Sequence, residues 1–155
     1  MTYTPDTYSD FKASVKYATI AVLTNTPTYS AGVLTAGSNG ILAVDGVNTV
    51  LGDRLLVKNQ AAGLQNGLYY VSTEGTAGVP FVLTRARDAD QDFEITPGMM
   101  VSVEAGGTLF DTTWVVSTDT AITIGTTAIT FAQISGSGGT VDLNPAYRRS
   151  WFGVG

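Results

Sequence analysis

The chain reads as an all-β protein, a single antiparallel sandwich or partly closed barrel with an extended arm at each end. Three observations predict this. Residues 15–134 are dense in Val, Ile, Thr, Phe and Tyr, and Gly or Asn-Gly steps interrupt them at short intervals. The apolar residues fall at alternate positions rather than at helical spacing. The chain has 155 residues and no Cys, so one ordinary domain has to hold itself together by core packing without covalent staples.

The elements follow in chain order. Asp6–Ser14 permits one short helix, with Thr4 or Asp6 as its cap. Asp45-Gly46 and Asn66-Gly67 supply the positive φ angles that tight turns demand. Arg54–Lys58 and Leu68–Val71 read as two short strands joined by a polar stretch. Phe81–Thr84 and Trp114–Val116 read as two more. Met99, Val101 and Val103 alternate with Met100, Ser102 and Glu104, the period of a half-buried strand. Ile122, Ile124, Ile129 and Phe131 flank Gly125-Thr126-Thr127 as in a hairpin. About seven to nine strands result, and short strands so spaced suggest a sandwich or barrel. No repeat of solenoid length is evident. The organisation is an N-terminal arm over 1–14, a β domain over 15–134, and a Gly/Ser linker with a docking arm over 135–155.

Composition excludes several functions. There is no His, which removes the usual general base, imidazole metal ligand and pH switch near neutrality. Net charge is −5, from 13 acidic and 8 basic residues. Such a chain repels phosphate backbones, so no nucleic-acid partner is expected. No apolar run is long enough to cross a membrane, and Met1–Asp6 lacks the basic start of a signal peptide. A soluble protein that stays on the cytoplasmic side of export is expected, with no membrane partner.

The candidate chemistry is thin. Asp88, Asp90, Asp92 and Glu94 place carboxylates at alternate positions, as a calcium loop begins. Phe93 then stands where the loop needs Gly and Met99 where it needs Glu. A solvated loop paired with Arg85 or Arg87 explains the run as well, so no metal site is assigned. Glu104, Asp111 and the same run are the only sources of a glycosidase-like carboxylate pair, and nothing fixes their separation. Ser137 has no strand-to-helix elbow and no base to activate it. No catalytic residue, no cofactor and no enzymatic activity is expected.

The partner-binding residues are Tyr147, Arg148, Arg149, Trp151 and Phe152, with Tyr3, Tyr8 and Phe11 as a second contact arm. The first group concentrates the side chains that dominate protein interfaces and follows a flexible linker. Trp151 is the expected anchor.

Several phrases over residues 15–134 resemble a domain of tailed-bacteriophage virion proteins. They are Val15–Thr19, Leu42–Val47, Gly52-Asp53-Arg54 with Leu55–Gln60, Asn66-Gly67-Leu68-Tyr69, Leu83–Asp90 and Thr96–Gly98. Thr113–Val115, Ile122–Thr127 and Ile129–Phe131 complete the series. Each phrase also has a structural reading: Asp53 bonds a turn, Arg54 and Lys58 lie outside one strand, Asn59 and Gln60 end it, and Tyr69 and Trp114 anchor the core or the sheets. The resemblance implies a virion part, assembled in the host cytoplasm, that binds other proteins. The short arms suggest a capsid decoration (cement) protein bridging subunits, with the major capsid protein and itself as partners, a homotrimer by family likeness. The alternative is a tail-fibre or tail-tip receptor-binding module, with a host-surface glycan as partner and loops Thr26–Ser38 or Gln60–Asn66 as its recognition surface.

Overall fold

A computed structural model describes residues 10–135. The fold they form is all-β: eleven strands and two single-turn 3₁₀ helices, Gly63–Gln65 and Asp92–Glu94. The strands are β1 (Tyr17–Ala18), β2 (Thr28–Ser30), β3 (Val33–Thr35), β4 (Ala43–Val44), β5 (Val47–Asn48) and β6 (Arg54–Val57). They continue with β7 (Gly67–Thr73), β8 (Val82–Arg85), β9 (Met100–Ser102), β10 (Thr113–Val116) and β11 (Phe131–Ser135). A six-stranded sheet runs β1-β6-β7-β8-β3-β2, a three-stranded sheet β11-β10-β9, and β4 pairs with β5. None of these sheets closes into a barrel. All neighbours are antiparallel except β1 and β6.

Strand alternation divides the large sheet into two buried faces. Leu56 lies opposite Ala18 and Leu68, and all three join Met99, Val101, Val103, Val116, Ile122 and Ile129 in one core. That core therefore joins one face of the large sheet to the three-stranded sheet. Leu55, Tyr69, Val71, Leu83 and Leu34 point to the other face, where Leu23, Leu42, Val44 and Phe81 cover them. A one-residue slip would exchange these two sets, so the register is strongly specified.

The expected strands over Arg54–Lys58, Leu68–Val71, Phe81–Thr84, Met99–Val103 and Trp114–Val116 are all present within a residue or two. Met99, Val101 and Val103 are buried on alternate positions, as the pattern required. Asp45-Gly46 forms the tight turn between β4 and β5, with φ of 48° and 78°. A second such turn, Ala31-Gly32, joins β2 to β3 with φ of 47° and 82°. Thr26–Ser38 is thus largely a hairpin, not a loop.

Three local expectations are corrected. Asn66-Gly67 is not a hairpin turn: Asn66 has φ −67° and follows the first 3₁₀ turn. Gly67 is glycine because the Arg85 guanidinium fills the space a Cβ would need, at a φ of +149°. Ile122–Phe131 is not a hairpin either. Its Thr123–Thr127 turn is closed by Thr126 N–H and Thr127 N–H to Thr123 O, at 3.1 and 2.9 Å, and β11 pairs with β10, Val116 opposite Phe131. Ile122 and Ile129 are both drawn into the core, so burial overrides the ladder. The helix allowed over Asp6–Ser14 is absent from its described part. There Phe11 and Val15 bridge in parallel to Met100 and Val103, because the edge of β9 offers partners to their backbone. Asp10–Ser14, assigned to the arm, thereby runs along the three-stranded sheet.

Candidate functional site

The polar phrases singled out in the sequence prove to be ties between loops and sheets. Asp53 accepts from Val50 N–H at 2.9 Å and pairs with Lys16 at 3.2 Å. Arg54 grips both oxygens of Asp88 at 2.9 and 2.8 Å and donates to Ala13 O at 3.1 Å. The acidic run is therefore held by Arg54, not by Arg85 or Arg87. Two of its other carboxylates serve the backbone: Asp92 accepts from Ile124 N–H at 2.8 Å, and Glu94 from the N–H groups of Asp90 and Gln91 at 2.9 and 3.0 Å. Among the described residues no three acids converge as a metal site. Glu104 accepts from the Ser14 hydroxyl at 2.7 Å.

A buried network joins Gln60 and Asn66. Gln60 Oε1 accepts from Leu23 N–H at 2.9 Å, Asn66 Oδ1 from Gln60 N–H at 3.0 Å, and Asn66 Nδ2 donates to Ile129 O at 2.9 Å. The Tyr69 hydroxyl donates to Gln65 O at 2.6 Å, and burial pushes its pKa up. Trp114 packs partly buried against the first core, and its ring lies 4.2 Å from Lys58 Nζ. Burial pushes the Lys58 ammonium down, and the Asp45 carboxylate opposes that. Each of these groups has a partner, as expected for buried polar atoms.

Of the expected partner-binding residues, only Phe11 is described. Tyr3, Tyr8, Tyr147, Arg148, Arg149, Trp151 and Phe152 lie outside the described residues. Phe11 is 55% exposed. Its neighbour Asp10 accepts from Met100 N–H at 2.7 Å and from the Thr96 hydroxyl at 2.6 Å. Thr96 lines a shallow depression of about 490 Å³ with Phe93, Ile95, Pro97, Ala121 and Ile122, and Phe93 stands 53% exposed on it. This apolar ledge is the first candidate surface. The sequence marked Phe93 only as the residue that breaks a calcium-loop pattern, although it is the one large apolar side chain inside an acidic run.

A second surface is polar. A pocket of about 420 Å³ is lined by Tyr29, Gly32 and Thr84, by Asp90 and Gln91, by Ile124 and Gly125, and by Arg85. Arg85 ties the β2–β3 hairpin to the Gln60–Asn66 stretch. Its Nε donates to the Tyr29 hydroxyl at 3.3 Å, Nη1 to Asn66 O at 3.1 Å and Nη2 to Leu64 O at 2.8 Å. The rings of Tyr69 and Tyr29 lie 5.0 and 5.5 Å from it.

Comparison with known proteins finds no matching family, no matching curated protein and no matching solved structure. What the described residues define is a class: an all-β protein whose polar groups brace the fold and whose surface includes an apolar ledge and a polar pocket.

Proposed function

We propose that the chain is a non-catalytic structural part of a tailed-phage virion, a capsid decoration protein that bridges neighbouring subunits of the major capsid protein. In this reading residues 15–134 form a sandwich, not a partly closed barrel, between the arms 1–14 and 135–155, and the protein assembles as a homotrimer. The observation that carries the reading is the apolar depression on which Phe93 stands exposed, tied through Thr96 to Asp10, the neighbour of exposed Phe11. A large apolar side chain left exposed on an apolar depression suits a surface that another protein covers. The shared core of the six- and three-stranded sheets supports the sandwich. The tail beyond Ser135 brings Tyr147, Arg148, Arg149, Trp151 and Phe152, the types that anchor interfaces.

The test is co-sedimentation with capsids that lack the protein. Binding should saturate at a fixed number of copies per shell. Trp151→Ala should weaken it roughly 30-fold, since a central aromatic anchor is worth about 2 kcal/mol or more. A shell that binds no protein refutes the decoration role.

The alternative is a tail-fibre receptor-binding module, favoured by the polar pocket that the β2–β3 hairpin forms with Arg85, Asp90, Gln91, Ile124 and Gly125. That role predicts binding to host cells or their glycans and none to shells.

A further inference from the structure

Arg85 is a buried cation, 2% exposed. Among the described residues the ion pairs are Lys16–Asp53 and Arg54–Asp88, and neither involves Arg85. Backbone carbonyls and two aromatic rings solvate it instead. A buried charge without a counter-ion is costly, and this one lies beneath an open pocket.

The Tyr29 hydroxyl carries that charge to the pocket. It accepts from Arg85 Nε at 3.3 Å, so its own proton is free to be donated elsewhere, more strongly for the cation behind it. Gly125 forms the wall beside it: a Cβ there would stand 3.8 Å from the hydroxyl oxygen. The absence of a side chain leaves that oxygen uncovered. Asp90 and Gln91 line the same pocket, and there Asp90 accepts from the Gln91 side-chain amide at 3.3 Å. The volume lies within the range of small-molecule sites, roughly 300–1,000 Å³.

The geometry points to a binding site for a small hydroxylated monocarboxylate, of which a uronic acid is the simplest cyclic member, with its carboxylate toward Tyr29 and Arg85 and its hydroxyls on Asp90 and Gln91. One guanidinium suits one negative charge. The Asp90 carboxylate accepts from hydroxyls and repels the phosphate dianion more strongly than a monocarboxylate. A neutral sugar would satisfy Asp90 and Gln91 but leave the cation unanswered. The site does not depend on the virion reading, and shell binding is scored separately.

Sodium glucuronate, glucose and inorganic phosphate are titrated into the full ¹⁵N-labelled chain at neutral pH. Saturable shifts of the Gly32, Gln91 and Gly125 amides and of the Arg85 Nε–H resonance are expected with glucuronate. Glucose and phosphate should bind at least tenfold more weakly. Tyr29→Phe, which keeps the ring, should weaken glucuronate at least tenfold. Gly125→Asn, a side chain that tolerates a φ of +83°, should block the pocket while leaving Tyr29 and Arg85 in place; thermal melting checks that both variants fold. Glucuronate that causes no saturable shift, or binds no better than glucose or phosphate, or binds both folded variants as well as the parent, overturns the assignment.

Discussion

Removing the Asp45 carboxylate should detach the β4–β5 hairpin from the loop before β10. Asp45 occupies the first position of the turn and is buried. Its Oδ2 accepts from Thr108 N–H at 2.9 Å and Leu109 N–H at 2.7 Å, and its Oδ1 from the Thr108 hydroxyl at 2.7 Å. Burial by itself would raise its pKa. The donors from Thr108 and Leu109, with Gly107 N–H, outweigh it and hold the carboxyl below its ordinary value. Gly106 and Gly107 are glycines because a Cβ at either would enter the space of Asp45. Charge-assisted bonds contribute about 1.5–3 kcal/mol each and do not add fully. Ala also strains the left-handed turn by about 1 kcal/mol. Asp45→Ala should therefore cost about 3–4 kcal/mol in urea unfolding at pH 7. Asp45→Asn keeps the shape and tolerates the φ, and should cost about 1–2 kcal/mol. The lowered folded pKa fixes the sign: the carboxylate's contribution is full above its unfolded value of about 3.9 and is lost as pH falls through the folded value. The gap between parent and Asp45→Asn should narrow as pH falls below about 3.9. A gap that stays constant would refute the electrostatic account.

Three further outcomes follow from the same geometry. Asn66→Ala removes both arms of the buried Gln60–Ile129 tie and should lower stability by about 2–3 kcal/mol in urea unfolding, because two backbone groups lose their partners. Gly75→Ala puts a Cβ onto the Gly40 carbonyl; a loss of about 3 kcal/mol or more is expected from backbone displacement, read by calorimetry, and a neutral result would contradict that close approach. Arg54→Lys breaks the two-pronged grip on Asp88, and a double-mutant cycle with Asp88→Asn should give a coupling of about 1 kcal/mol, shrinking in high salt because both groups are partly exposed.

The strands were the most legible part of the sequence. Alternation along Met99–Val103 and the Asp45-Gly46 step are local properties, set by side-chain pleat and by which residues accept a positive φ. The Asn66-Gly67 step carried the same local signature and meant something else. Its glycine answers to Arg85, which arrives from β8 and pairs across the sheet with Tyr69. Ile122–Phe131 misled for a similar reason: the apolar spacing marked burial, and only the arrival of β10 decided which residues would form a ladder.

The surfaces divide in the same way. Composition by itself bounded the chemistry, since a chain without His or Cys lacks the imidazole that titrates near neutrality and the thiolate that acts as nucleophile and metal ligand. The aromatic and Arg content of residues 147–152 is likewise a property of the sequence. That Phe93 stands exposed, that Arg54 and not Arg85 holds Asp88, and that Arg85 lies beneath a pocket with Tyr29 were decided by tertiary structure. Each depends on contacts between segments tens of residues apart, 34 in the case of Arg54 and Asp88, and no local preference of the chain encodes which distant group will be brought within reach.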